Sequence, residues 1–181
     1  MARSVLIFPH ALAMATLLAL DAGVTPPAPA PAVTCAGDLS GASEELRRDF
    51  DGVKQRIEAD PLFQAVVRAH GPARKCTRRG EEGALRLSYQ FAKGGAFEAS
   101  IDPQAESERH TATLKLSARE AREVLRQAEH AQFGAQGCGI QWDKPEEEPP
   151  ETVFRGDTCN CQARLATLPS GSVRLVLSSA C

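Results

Sequence analysis

Residues 85–101 read LRLSYQFAKGGAFEASI, and the fold turns on this stretch. Leu85, Leu87, Tyr89 and Phe91 alternate with Arg86, Ser88 and Gln90; Phe97, Ala99 and Ile101 then alternate with Glu98 and Ser100. A period of two marks strands with one face on a core. Between the runs lies Lys93-Gly94-Gly95, which is turn chemistry. A three-residue loop pairs Phe91 with Phe97 and Tyr89 with Ala99, keeping both apolar sets on one face. A two-residue loop would turn one set outward. Gly95 then takes a left-handed backbone position.

Upstream the period lengthens. Ser43-Glu44-Glu45 opens a helix with a capping residue and first-turn acids, and Leu46, Phe50, Val53 and Ile57 give it one buried face. Asp60-Pro61 starts a second helix carrying Leu62, Phe63, Val66 and Val67, which Gly71-Pro72 stops. Downstream, a third strand near Arg109 to Leu116 turns Ala112, Leu114 and Leu116 inward. Ser117 to Glu120 forms a capping box for a helix with the stripe Ala121, Val124, Leu125 and Ala128, closed by Phe133-Gly134. Cys138, Ile140 and Trp142 alternate as a short strand. Asp143 to Glu151 is too charged and proline-rich for regular structure, and Thr152 to Arg155 returns as a brief strand. The predicted class is α+β: two N-terminal helices and one central helix packed on an antiparallel sheet, stapled by disulfides.

A terminal hairpin fixes the sulfur geometry. With Pro169-Ser170-Gly171 as its loop, Leu165 opposes Leu175, Ala163 opposes Leu177 and Cys159 opposes Cys181. Cross-strand neighbours about 4.5–5.5 Å apart are within disulfide reach. Cys161 then takes Cys138, and Cys35 and Cys76 remain to tie the N-terminal segment to the loop after the second helix. Zinc is the weaker reading, because only Cys159 and Cys161 are closely spaced and no second pair answers them. A redox role for that pair is also disfavoured, since reactive thiol pairs sit at helix starts.

Arg3 followed by the apolar run Val5 to Leu20 reads as a signal peptide over 1–22, too short and interrupted for a stable membrane span. Residues 23–34 are a Pro/Ala-rich linker, and 35–181 form a single disulfide-rich domain. Six cysteines in an exported chain imply a periplasmic or extracellular location, and nothing beyond the signal is apolar enough to cross a bilayer.

The net charge of −2 gives no field to hold nucleic acid, and one Trp and one Tyr make a poor stacking platform. No nucleophile elbow, metalloprotease helix, phosphate loop or dinucleotide fingerprint is present, so no catalytic, cofactor or metal residue is assigned. His70, His110 and His130 each have a structural explanation at a helix or strand end. Glu146, Glu147 and Glu148 are adjacent, but on a loop they set no fixed carboxylate separation and lack calcium-loop spacing. Arg74, Lys75, Arg78 and Arg79 surround Cys76. The expected function is an exported, non-enzymatic binding domain, an inhibitor or immunity-type partner of another exported protein. It would use the basic loop 74–79 together with the acidic loop 143–151. The alternatives are a small secreted hydrolase with a histidine-containing site and a structural cell-envelope component.

Overall fold

Backbone pairing extends well beyond the segments whose side chains alternate. The computed structural model describes residues 33–134, 138–148 and 150–181. The signal peptide expected over 1–22 and nearly all of the linker over 23–34 lie outside them. Among the described residues the chain runs β1 (Cys35–Ala36), α1 (Glu44–Arg48), α2 (Phe50–Ala59), α3 (Pro61–His70), β2 (Ala73–Glu81), β3 (Ala84–Phe91), β4 (Ala96–Asp102), β5 (Ser107–Leu114), α4 (Ala118–Phe133), β6 (Glu146–Glu148), β7 (Glu151–Arg155), β8 (Gln162–Thr167) and β9 (Val173–Ala180). The nine strands form one sheet in the order β1-β2-β3-β4-β5-β9-β8-β7-β6. β1 runs parallel to β2, and every other neighbouring pair is antiparallel.

The predicted fold class is therefore corrected. The sheet is mixed rather than antiparallel, and three short helices precede β2 rather than two. The helix expected from Ser43 onward divides at Asp49, whose φ of −103° and ψ of 25° depart from helical values. A Cβ on Gly52 would lie 2.5 Å from Asp49 Oδ1, so the carboxylate rests against the first turn of α2. It makes no capping hydrogen bond, but a negative charge at a helix start suits the dipole.

Two charged segments read as loops are strands. In β2 only Cys76 is buried, so no apolar face announces the element. Backbone pairing with β3 from Ala73↔Phe91 to Glu81↔Ala84 holds it, with β1 on its other side. In β6, Glu146, Glu147 and Glu148 are all exposed and pair with Val153, Thr152 and Glu151. Conversely, Cys138 to Trp142 is no strand. Cys138 and Ile140 donate their N–H groups to the buried Glu129 carboxylate at 3.2 and 3.3 Å, and Trp142 Nε1 donates at 2.8 Å. One side chain supplies the acceptors that a neighbouring strand would have given.

The central hairpin also differs in register. Tyr89 faces Phe97 and Leu87 faces Ala99, two residues from the predicted pairing, so the apolar sets still share a face. The loop is longer because it is stitched to the end of α3. Lys93 N–H donates to His70 O at 2.9 Å, and Ala92 N–H donates to Pro72 O at 3.1 Å. Gly95 has φ +78°, and a Cβ there would meet His70 Cδ2 at 2.7 Å.

The capping box at Ser117 and Glu120 is formed, and Ala121, Val124, Leu125 and Ala128 are buried along α4. α3 and α4 lie on one face of the sheet. Phe63 of α3 is the hub, meeting Tyr89, Phe91 and Phe97 edge-on at 4.9, 5.4 and 5.3 Å. Such contacts add to the burial of the rings.

Three disulfides, Cys35–Cys76, Cys138–Cys161 and Cys159–Cys181, leave no free cysteine among the described residues. In the terminal hairpin Leu165 faces Leu175 and Ala163 faces Leu177. Cys159 and Asn160 do not continue the strand, since both take positive φ in a turn, at 50° and 43°. Three bridges indicate an oxidising, non-cytoplasmic compartment. No helix among the described residues is long and apolar enough to cross a membrane.

Candidate functional site

The two charged segments expected to act together lie at opposite ends of the strand order, β2 beside one edge and β6 at the other. Each has partners of its own. Arg78 Nε donates to Gly37 O at 3.2 Å, with its guanidinium 4.8 Å from the Phe50 ring centroid, and Arg79 pairs with Glu81 at 3.1 Å. Arg74 and Lys75 are exposed. Glu146 accepts from Arg155 Nε at 2.8 Å, Glu148 pairs with Arg155, and Glu147 accepts from Thr152 Oγ1 at 3.1 Å. The basic and acidic runs are separate patches.

Among the described residues two histidines are buried and one is exposed. His70 Nε2 accepts from Lys115 N–H at 3.3 Å, which leaves Nδ1 to donate to Lys93 O at 3.1 Å. That ring ties α3 to two loops. His130 is exposed.

His110 of β5 is more unusual. It is 2 % exposed, with Nδ1 3.0 Å from Asp60 Oδ2 and Nε2 2.8 Å from Glu108 Oε1. The Glu108 contact is short but lies off the N–H direction, so charge attraction rather than a directed hydrogen bond accounts for it. Asp60 caps α3 with its other oxygen, accepting from Leu62 N–H at 2.6 Å. Glu108 also meets Arg56 of α2 at 2.7 Å. Burial disfavours charge on His110, but its contacts with Asp60 and Glu108 outweigh that and raise its pKa to about 9. Burial would raise the Glu108 carboxyl, yet His110 and Arg56 hold it below its usual range.

Arg56 and Glu108 line a cleft of about 420 Å³ that also includes Ser107 and Ser179. His110 does not line this cleft. Both nitrogens of His110 face carboxylates, so neither is left to take a proton from a hydroxyl. The ring carries a charge at neutral pH and acts as an ionic tie between α3 and the sheet.

The other face of the sheet has a different character. Register places Arg86, Ser100 and Arg109 in one row across β3, β4 and β5, with Ser88, Glu98, Thr111 and Val176 in the next. A hollow of about 580 Å³ opens here, lined by Arg86, Glu98, Ser100, Arg109, Thr111 and Arg174 among others. Toward the β6 edge, Glu151 is clamped by Arg164 at 2.9 Å and Arg174 at 3.0 Å, and this holds its carboxyl below the usual range. Val153, Ala166 and Val176 are buried on this face, where register sets Arg164 opposite Val153 and Val176, and Arg174 opposite Ala166. Long arginine stems cover apolar surface while their heads reach acids or water. Among the described residues no group of three metal-ligating side chains is placed to hold an ion.

No protein family, curated protein or solved structure matches this chain. The site must be read from its own chemistry. Sequence alternation marks Arg86, Ser100 and Arg109 as solvent-facing, but only the strand register brings the three together.

Proposed function

We propose that this chain is an exported, non-enzymatic binding domain that works in the periplasm or outside the cell as an inhibitor or immunity-type partner of another exported protein. The observation that carries the reading is the polar hollow on the sheet face opposite α3 and α4. Its walls are side chains on paired strands, so their positions are set before a partner arrives. Three disulfides hold the scaffold. Preorganisation of this kind lowers the entropic cost of association. This surface replaces the pair of charged loops, which are too far apart in strand order to form one patch.

The test is capture of a partner from the native envelope extract by the oxidised domain, with Thr111→Trp as the blocking variant. Thr111 lines the hollow and is half-buried, so an indole there fills space without entering the core. The expected result is loss of the captured protein with Thr111→Trp and retention with Arg126→Glu on the exposed side of α4. Equal capture by all three proteins would remove the hollow from consideration.

A further inference from the structure

The arginines on the open sheet face are not equivalent. Arg79 pairs with Glu81, Arg155 with Glu146 and Glu148, and Arg164 and Arg174 with Glu151. Arg86 and Arg109 are both exposed, and neither has a salt-bridge or hydrogen-bond partner among the described residues. They are not neighbours by accident of sequence: Arg86 faces Ser100, and Ser100 faces Arg109. Two strand spacings put their backbones about 10 Å apart. Long side chains can converge from that separation over the short serine between them.

We infer that this row seats one carboxylate from an acidic side chain of the partner protein, held by Arg86 and Arg109 above the Ser100 hydroxyl. The inference rests on the binding role proposed above and names the chemistry of that site. Guanidinium forks match the planar, two-oxygen geometry of a carboxylate. Charge selects it over phosphate. Glu98 lies in the adjoining row between the two arginines, Arg174 pairs with Glu151 in the same hollow, and Arg79, opposite Arg86, pairs with Glu81, so a single positive charge is left to balance. A carboxylate brings one negative charge, whereas a phosphate monoester at neutral pH brings nearly two.

The experiment is an NMR titration of the arginine side-chain N–H signals in the oxidised protein. The probes are a blocked Gly-Gly-Glu-Gly-Gly peptide, its glutamine counterpart and inorganic phosphate. The expected result is saturable shifts at Arg86 and Arg109 with the glutamate peptide only. Arg86→Gln and Arg109→Gln should each weaken binding about tenfold, the usual loss for one charge-assisted hydrogen bond. Both residues are exposed, so neither substitution threatens folding. Glu98→Gln should tighten the glutamate peptide and admit phosphate.

Equal shifts with the glutamine peptide, or phosphate binding to the unaltered protein as strongly as the glutamate peptide, would overturn the assignment. If Thr111→Trp abolishes partner capture while Arg86→Gln and Arg109→Gln leave it intact, the binding role stands and the carboxylate seat falls. If Thr111→Trp leaves capture intact, the hollow is not the partner's site and the carboxylate seat falls with it, whereas absence of any captured protein with the unaltered domain removes the binding role.

Discussion

Raising the pH should weaken this protein through a single buried ring. The His110 pKa is about 9 in the folded chain, against 6.5 for the free side chain. Below pH 6.5 both states hold the proton, and the full stabilisation from Asp60 and Glu108 is present. Between 6.5 and 9 the folded state keeps a proton that the unfolded state has released, so stability falls as pH rises through that window. A gap of roughly 2.5 units corresponds to about 3 kcal/mol. That is a large share of the roughly 5–15 kcal/mol typical of a domain. Urea unfolding at half-unit steps from pH 5.5 to 9.5 measures it, with His110→Gln as reference. The variant should be weaker at pH 6, because Asp60 and Glu108 lose the cation between them. Its stability should also lack the slope that the unaltered protein shows. Parallel stability-against-pH curves for the two proteins would refute the ionic tie.

Glu129 should be as sensitive to truncation. Glu129→Ala leaves three donors without their acceptor and is expected to cost about 3 kcal/mol, while Glu129→Gln keeps one oxygen and costs less. Fluorescence of Trp142, the sole tryptophan, follows the unfolding, and a Glu129→Ala midpoint matching the parent would discredit the role. In the central hairpin, Gly94 and Gly95 separate backbone strain from crowding. Both have positive φ, but a Cβ at Gly94 meets nothing within 4 Å whereas one at Gly95 meets His70. Gly94→Ala should cost about 1 kcal/mol and Gly95→Ala clearly more, as judged by thermal melting of the two variants side by side; equal losses would mean that His70 gives way freely.

What could be read from sequence was local. The alternation of β3 and β4, the capping box of α4 and the Leu165↔Leu175 register of the last hairpin each depend on residues close along the chain. β2 and β6 were illegible because charged residues occupy both of their faces and backbone pairing holds them in place. The extra helix boundary hung on one residue, Asp49, whose type suits a helix start as well as an exposed helical position. Of the candidate site, alternation gave the outward direction of Arg86, Ser100 and Arg109 but not their company. The predicted hairpin register would have set Ser100 opposite Ser88, whereas the observed shift of two residues sets it opposite Arg86. That shift comes from His70 bonding the loop backbone, a contact between elements that no pattern within β3 or β4 encodes. Likewise, parity turned His110 inward, but Asp60 lies 50 residues away in sequence.

The ends of the sheet bear on how crowded copies of this domain behave. β1 offers two residues and β6 three, all glutamate. Beyond β1, the segment from Asp38 to Ser43 covers the rim with backbone bonds to Gly80 and Gly83. A second molecule seeking to add its own strand finds a covered rim on one side and, on the other, three exposed glutamates of which two share Arg155. Short, covered or charged borders of this kind leave little unpaired backbone for edge-to-edge addition.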